Sequence, residues 1–270
     1  MTPPTTTATG RTPLSQRVRF GWLAELAVAV VIYEGYDTLR SRVAGSTHVA
    51  FVHAKQIISA ERFLHLYWER DVQRAFLHVD WFIAFWNIYY GTIHFVMPVV
   101  VLVWLYLKAP ERYVRWRNTL GLMFGLAVLG FWLYPLMPPR VMPPKYGFVD
   151  TAAEYYNFGP QVRVRFDAHD QPTHEAAEQF GNLYAAMPSF HVGWSTWAVL
   201  AIWPLVRRRW VKGLLVAYPL TILFCITVTA NHWLLDAAGG WIVLGLGYAG
   251  ASVIGAALAA RRSGRAHATV

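Results

Sequence analysis

The 270-residue sequence has few charged residues and a single cysteine. Charged residues make up 14% of it, below the roughly 25% that is usual in soluble domains. The lone Cys225 excludes an intramolecular disulfide framework and a metal cage built only from cysteines. In their place the sequence has 56% hydrophobic and 16% aromatic residues. This composition excludes disorder, collagen and coiled coil, and a soluble fold would expose many of the aromatic rings. The sequence therefore indicates a membrane protein.

Six segments are mainly apolar over about the 20 residues that a membrane-spanning helix needs. We therefore predict an all-α integral membrane protein with about six transmembrane helices. The first segment contains Glu25 and Glu34, for which the sequence identifies no partner. Because Glu34, Tyr36 and Asp37 stand where a signal peptide would have its cleavage site, we predict an uncleaved anchor. The segments are 20–36, 81–107, 119–137, 188–206, 213–230 and 236–260.

The distribution of lysine and arginine predicts how these helices are oriented. Four segments hold 14 of these residues in 46 positions, namely 1–19, 108–118, 207–212 and 261–270. The segments that alternate with them hold 10 in 99 positions. Since short basic loops stay in the cytoplasm, we predict that both termini are cytoplasmic. The net charge of +9 then reflects topology, and no nucleic-acid partner is predicted.

The chain divides into one membrane-embedded domain and two cytoplasmic tails. Residues 20–260 form the predicted domain, 1–19 a disordered tail and 261–270 a second tail. Two outer segments of the domain, 37–80 and 138–187, are too long to be plain connectors. We expect each to carry structure of its own.

The first outer segment has apolar residues at three- and four-residue spacing, which predicts one amphipathic helix between 50 and 80. Its charged residues, Glu61 and Glu69 among them, fall elsewhere around this helix. It is too charged to span, so we place it in the outer membrane interface. We also expect a short helix after Thr173 in the second outer segment. The apolar positions are Ile57, Ala60, Leu64, Trp68, Val72, Ala75 and Val79.

Polar residues open the fourth predicted span. Pro188 and Ser189 suit the first turn of a helix, and that turn presents free backbone N–H groups. Such a helix start favours an anion, phosphate above all. His191 follows within the first turn and could donate a proton to a group bound there. The alternative is that Pro-Ser only starts a helix and that His191 is an interfacial aromatic residue.

A histidine and a carboxylate open the sixth predicted span. His232 and Asp236 are four residues apart and share one helix face. A carboxylate beside one imidazole nitrogen fixes the tautomer and raises the basicity of the other nitrogen, as in an activated nucleophile. A carboxylate near the membrane is also costly without a partner. The alternative is a purely structural His–Asp helix cap.

Both pairs fall at the outer boundary of the predicted topology, so two histidines and a carboxylate would converge on one outward-facing site. Such a set could ligate iron or zinc. The helix start and nearby cations favour an anionic substrate instead, and we predict neither metal nor cofactor. The cations are Arg140, whose fork matches phosphate oxygens, and Lys145. Either could instead reach lipid headgroups.

These residues resemble the motifs of the type 2 phosphatidic acid phosphatase superfamily, which includes the vanadium haloperoxidases. The second motif of that family reads Pro-Ser-Gly-His, and the third reads Ser-Arg-x5-His-x3-Asp. The resemblance covers roughly residues 20–260, and it depends on the order, spacing and common membrane side of the motifs. The matching residues are Pro188, Ser189, His191, His232 and Asp236.

The sequence departs from that pattern at several positions. Phe190 replaces the glycine of the second motif, and Cys225 and Ile226 stand where the third motif has Ser-Arg. Of the first motif, Lys-x6-Arg-Pro, only the arginine is matched, by Arg140, and Val141 follows it. These departures resemble the branch of inositol phosphorylceramide synthases. The Pro-Pro-Arg and Ala-Met-Pro-Ser runs resemble bacterial members of that branch.

The resemblance implies a metal-free phosphotransfer at the extracytoplasmic face. His232, oriented by Asp236, would attack phosphorus and form a phosphohistidine. His191 would protonate the departing oxygen and then act as the base for the incoming group. Positioning and charge stabilisation carry most of such chemistry. The residues that would bind the phosphate oxygens are Arg140, Ser189 and Lys145.

The acceptor distinguishes the functions that remain open. With a lipid hydroxyl as acceptor, the protein is a lipid phosphotransferase that takes a phosphoryl head group, phosphoinositol in the resembling branch, from a membrane phospholipid. With water, it is a lipid phosphate or pyrophosphate phosphatase. The missing clamp arginine fits a phosphodiester and favours transfer, unless Arg163 or Arg165 replaces it. A non-enzymatic membrane protein with a degenerate site is the third alternative, and no oligomeric state is predicted.

Overall fold

The computed structural model describes residues 14–42, 45–152, 164–173 and 183–268. Over these residues the chain is mostly helical and contains no β-strand, as the prediction of an all-α fold requires. Short 3₁₀ helices at Pro139–Val141, Pro144–Tyr146 and Trp203–Leu205 join some of the longer elements. The α-helices are α1 (Leu14–Arg42), α2 (Thr47–Phe63), α3 (Glu69–Phe76), α4 (Asp80–Lys108), α5 (Pro110–Leu133), α6 (Phe190–Ile202), α7 (Arg209–Val228) and α8 (Leu234–Ala268).

Three of the described helices are long and apolar enough to cross a membrane, in α4, α7 and α8. They coincide with the second, fifth and sixth predicted spans. The other three predicted segments are also helical and lie in α1, α5 and α6. These three helices are more charged or shorter than α4, α7 and α8. Glu25 and Glu34 lie within the apolar stretch of α1, Arg112 and Arg117 make the first half of α5 polar, and α6 has only 13 residues.

The short α6 lies at the centre of the bundle and packs against α4, α5, α7 and α8. Its Trp197 is fully buried. Two glycines let α8 approach its neighbours closely. Gly240 packs on the backbone carbonyl of Ser189 at the start of α6, and a Cβ at Gly247 would stand 3.0 Å from the Thr119 carbonyl oxygen in α5. The start of α6 is therefore held directly against α8.

The prediction of one amphipathic helix between 50 and 80 is wrong, because helix α2 ends at Phe63 and a separate helix, α3, begins at Glu69. His65 adopts the left-handed conformation, with a φ of 58°. The Leu66 N–H donates to the Glu61 carbonyl at 2.7 Å, and the His65 N–H donates to the Arg62 carbonyl at 3.2 Å. This is the hydrogen-bond pattern that ends a helix at a left-handed residue. Glycine usually occupies that position, so a histidine gives the sequence no stop signal.

The predicted polar and apolar faces of this region are also wrong. Glu61 and Glu69, placed off the apolar face by the spacing, are both 0% exposed. Leu64 and Trp68, placed on that face, are at least half exposed. Because α2 and α3 are separate helices, one helical period does not run through both. The two glutamates instead point at the start of α8.

Glu25, for which the sequence identified no partner, has two partners in α5. The Arg117 guanidinium lies 2.6 Å from the Glu25 carboxylate. The Tyr113 hydroxyl donates to the same carboxylate at 2.9 Å. The half-buried Glu25 charge is therefore paired between α1 and α5.

The second outer segment folds back onto the bundle. The Leu136 N–H, just after α5, donates to the Tyr184 carbonyl, just before α6, at 2.8 Å. The Arg140 N–H donates to the Ala230 carbonyl at 2.9 Å, next to the start of α8. The short helix expected after Thr173 falls on residues 174–182, which lie outside the described part of the chain, as does Arg163.

Candidate active site

Two histidines and a carboxylate form one hydrogen-bonded chain between the starts of α6 and α8. His232 Nε2 lies 3.2 Å from His191 Nδ1. His232 Nδ1 lies 3.3 Å from Asp236 Oδ2 and 2.8 Å from the Ala186 carbonyl oxygen. His232 is 4% exposed and Asp236 is 0% exposed. The structure thus brings together the three residues that the sequence placed in two separate spans.

A tight turn after α7 places His232. Ala230 adopts a left-handed conformation with a φ of 52°, and the Asn231 N–H donates to the Ile226 carbonyl at 3.0 Å. This pattern ends α7 and reverses the chain two residues before His232. Alanine at the left-handed position, like His65 after α2, gives no sequence signal for the turn.

Asp236 has a structural and a chemical partner at the same time. Its Oδ2 accepts the Trp233 N–H at 2.9 Å, which is how an acidic residue in the first turn of a helix caps the helix start. The same oxygen faces His232 Nδ1. The helix cap and the histidine-orienting carboxylate, posed as alternatives by the sequence, are one group in the structure.

His191 lies between His232 and the ring of Tyr90, which the sequence did not identify as part of the site. The Tyr90 ring of α4 stacks on the His191 ring with centroids 4.2 Å apart. This contact restricts the tilt of the imidazole while leaving its edge towards His232. Tyr90 lies among many aromatic residues in α4, so no spacing distinguishes it in the sequence.

Ser189 is the residue before α6 and is 0% exposed. Its backbone N–H donates to the Asp236 carbonyl at 2.9 Å, which joins the starts of the two helices. Its side chain does not cap α6. Among the described residues, the buried Ser189 Oγ has no hydrogen-bond partner. A buried hydroxyl without a partner is unfavourable, and a ligand oxygen at the helix start would provide one.

Arg140 is near the turn before His232 through its backbone bond to Ala230, but its guanidinium is already paired. Nη1 lies 2.9 and 3.0 Å from the two carboxylate oxygens of Asp150. The Nε of Arg140 is buried and has no partner in the described structure. Asp150, ten residues further along the chain, was not identified from the sequence. It offsets much of the positive charge that Arg140 would offer a phosphate.

Lys145 lies apart from the histidines. It pairs with Asp170 at 2.9 Å, both in the second outer segment. The hydrogen bond to Asp170 raises the pKa of Lys145. Arg165 is exposed, and among the contacts of the described residues none links it or Lys145 to His191 or His232.

Over the described residues, no group of three or more His, Cys, Asp or Glu side chains is arranged to hold a metal ion. The acidic groups near the site are instead spread along the start of α8, where Glu61 and Glu69 accept backbone N–H groups. These two glutamates were missed because their burial depends on the break between α2 and α3.

The sequence of the chain matches one known protein family. A family model described as PAP2 superfamily matches residues 55–250. The matched range contains α6, α7 and the site-forming start of α8, with His191, His232 and Asp236. No curated protein and no solved structure matches the chain. The family match supports a phosphatase or phosphotransferase-type lipid enzyme in general and, with the three apolar helices, a membrane protein. The chain belongs to the PAP2 superfamily.

Proposed function

We propose that the protein is a membrane lipid phosphotransferase that moves a phosphoryl head group between lipids through a phosphohistidine on His232. The observation that carries this proposal is the hydrogen-bonded chain from His191 through His232 to Asp236. It gives one imidazole a fixed orientation and places a second imidazole at its reactive edge. That is the arrangement of an activated nucleophile with a neighbouring acid.

The partners of His232 define its tautomer. Both neighbours of Nδ1, the Ala186 carbonyl and the Asp236 carboxylate, are hydrogen-bond acceptors. Nδ1 therefore carries the proton, and Nε2 keeps the lone pair that attacks phosphorus. The carbonyl is the nearer partner, so Asp236 contributes mainly negative charge and the cap of α8.

Transfer proceeds in two steps. In the first, His232 Nε2 forms a bond to phosphorus while the bond from phosphorus to the donor lipid oxygen breaks, and His191 protonates that oxygen. In the second, His191 takes the proton of the acceptor hydroxyl, whose oxygen displaces Nε2 from phosphorus. The two ring nitrogens are hydrogen-bonded to each other at 3.2 Å, so the phosphoryl group must separate them when it binds.

The charge near the site favours a phosphodiester over a phosphomonoester. Arg140 and Ser189 are the groups proposed to bind the non-bridging oxygens. Asp150 already neutralises much of the Arg140 charge. A diester carries one negative charge and a monoester carries nearly two near neutral pH. We propose a phosphoinositol head group on the resemblance to the inositol phosphorylceramide synthase branch. We leave Lys145 out of the site because its partner is Asp170.

The proposed topology has six spans, formed by α1, α4, α5, α6, α7 and α8, with both termini in the cytoplasm. The starts of α6 and α8 then lie at the extracytoplasmic face. The proposal is supported by the lysine and arginine residues of 1–19, 108–118, 207–212 and 261–270. Short segments rich in these residues remain cytoplasmic. Cysteines substituted for Thr173 and Asn118 should react with an impermeant thiol reagent from opposite sides, Thr173→Cys from outside.

The products distinguish transfer from hydrolysis. Purified protein would be incubated with phosphatidylinositol labelled in its head group, with and without a ceramide-like or diacylglycerol-like acceptor. A new labelled lipid that forms only with the acceptor is the expected result. Water-soluble labelled phosphate or inositol phosphate in both samples would establish hydrolysis instead. His232→Ala serves as the control, since neither product should form with it.

A further inference from the structure

Two glutamates from α2 and α3 hold the first turn of α8. The Leu234 N–H donates to Glu69 Oε1 at 2.7 Å, and the Leu235 N–H donates to Glu61 Oε1 at 2.8 Å. With Asp236 on the preceding N–H, three consecutive backbone N–H groups bind three different carboxyl groups. Helix starts bind negative charge favourably, but an ordinary cap uses one side chain.

The remaining oxygens of the two glutamates are buried together without a donor. Both residues are 0% exposed, and the second carboxyl oxygen of each has no hydrogen-bond partner in the described structure. Burial, then the charge and hydrogen bond of Glu69, raises the pKa of Glu61 to about 10. Burial also raises the pKa of Glu69. Both effects favour a protonated Glu61 at neutral pH, and a proton on Glu61 that is donated to Glu69 would satisfy both remaining oxygens.

The titratable and charged groups around Glu61 and Glu69 come from α8, from α2 and α3, and from the turn between α2 and α3. The Asp236 carboxylate repels negative charge on both glutamates. Tyr67 faces Glu69, and the cations Arg62 and Arg70 act on Tyr67. If the shared proton were lost, three carboxylates would face one another at the start of α8.

We propose that Glu61 and Glu69 are positioning residues that act as one unit, in which two buried carboxyl groups fix the first turn of α8 and thereby the His232 ring. The inference rests on the proposed function of His232. Leu234 and Leu235 lie between His232 and Asp236 in the chain, so a shift of this turn moves both His232 and Asp236. A misplacement of about 1 Å can cost about 100-fold in rate.

Amide substitutions test the shared proton without removing the side chains. In Glu61→Gln the amide oxygen accepts the Leu235 N–H and the amide N–H₂ donates to Glu69, as the protonated carboxyl does. In the double variant Glu61→Gln/Glu69→Gln, both oxygens are needed by the backbone and two N–H₂ groups face each other. Whichever way the two amides are turned, two donor groups then face each other without an acceptor.

We expect Glu61→Gln to keep kcat within about threefold of wild type at pH 7, and the double variant to lose about 10–100-fold in kcat with little change in KM. Glu111→Gln, an exposed glutamate in the first turn of α5, is the matched control. The assay is head-group transfer from labelled phosphatidylinositol in detergent micelles. Each variant would also be checked for thermal unfolding, so that a loss of fold is not read as a loss of positioning.

The pH profile separates positioning by a shared proton from a merely structural cap. Wild-type kcat should fall reversibly as the pH approaches 10, where Glu61 ionises. Glu61→Gln has no such proton to lose and should retain its rate to higher pH than the wild type. If the single and double amide variants have equal kcat, or if Glu61→Gln leaves the alkaline limb unchanged, the proposal is wrong. Wild type without any turnover would instead contradict the proposed function.

Discussion

The starts of α6 and α8 meet at the two histidines, yet their first turns are occupied in opposite ways. At α8, carboxyl groups of the protein bind the N–H groups of Trp233, Leu234 and Leu235. At α6, the Ser189 side chain does not cap the helix, and its buried hydroxyl has no partner among the described residues. The α8 start is therefore closed to an anion, while the α6 start is suited to receive one.

Under the proposed function this contrast gives the two helix starts different tasks. In the α8 half of the site, carboxyl groups would fix His232 and keep the lone pair on its Nε2. In the α6 half, His191 and Ser189 would meet the substrate phosphate. Substrate and nucleophile would then approach each other from two different helices.

The largest effect is expected when the nucleophile of the α8 half is removed. His232→Ala should reduce transfer to background for every donor, because no covalent intermediate can form. The measurement is product formation from labelled phosphatidylinositol and from an activated phosphate ester, assuming the enzyme accepts the ester. Residual turnover of either donor at a substantial fraction of the wild-type rate would exclude His232 as the nucleophile.

On the α6 half, His191→Ala should lower kcat by about 10²–10⁴-fold with the lipid donor. The loss should be smaller with para-nitrophenyl phosphate, if it is a substrate, since its leaving group needs little protonation. Comparing the two losses checks the role of His191 directly. Equal losses with both donors would leave His191 as a phosphate-binding residue only.

Asp236→Asn should have an intermediate effect. The amide oxygen can still accept the Trp233 N–H, so the cap of α8 is kept, but the negative charge beside His232 is lost. A hydrogen bond to a charged group is worth about 1.5–3 kcal/mol, which predicts a loss of about 10–100-fold in kcat. A loss as complete as that of His232→Ala would mean that Asp236 does more than orient and polarise the ring.

A smaller effect is expected at the anion-binding end of α6. Ser189→Ala should raise KM for the lipid donor about tenfold, because the hydroxyl is proposed to bind a phosphate oxygen. Ser195→Ala is the matched control, since Ser195 is equally buried on the same helix but donates to the Val192 carbonyl at 3.0 Å. Similar KM values for the two variants would remove Ser189 from the site.

The smallest effect concerns stability. The pKa of Glu61 is raised to about 10 from an ordinary value near 4.5, so the folded protein binds this proton more tightly than the unfolded chain. Its contribution to the free energy of unfolding is complete below the ordinary pKa and disappears as the pH rises through 10. Between pH 7 and 10, Tm should therefore fall further for wild type than for Glu61→Gln.

The difference in Tm should be at least several degrees, since each lost 1 kcal/mol shifts Tm by ~2–4 °C in a protein of this size. Tryptophan fluorescence during heating in detergent measures it, with Glu111→Gln as the control. Parallel pH dependences for wild type and Glu61→Gln would show that the pair does not hold the proton.

The sequence identified the parts of the site that depend on local spacing. His232 and Asp236 are four residues apart and do meet, but the predicted common helix face is wrong, because α8 begins at Leu234 and Asp236 reaches back to His232 from its first turn. Pro188-Ser189 opens a helix because of local turn chemistry. Apolar length alone identifies the helices α4, α7 and α8, and the predicted spans in the regions of α1, α5 and α6 are also largely helical. These features need no knowledge of which helices touch.

The sequence did not identify features that depend on the backbone reversing direction without the usual residue. His65 and Ala230 adopt left-handed conformations in which glycine is the common residue. The first of these turns separates α2 from α3 and buries Glu61 and Glu69. The pairing of Arg140 with Asp150 is likewise a tertiary contact of an irregular segment, which no hydrophobic period encodes.

The most direct test of the account is chemical identification of the covalent intermediate. His191→Ala enzyme would be mixed with a labelled activated ester such as para-nitrophenyl phosphate, whose leaving group needs little protonation, then quenched within milliseconds to seconds, digested and mapped by mass spectrometry. We predict an acid-labile phosphoryl adduct on His232 that accumulates in His191→Ala and is absent from His191→Ala/His232→Ala. An adduct on another residue, or active wild-type enzyme that never carries label on His232, would contradict the central claim that His232 is the nucleophile.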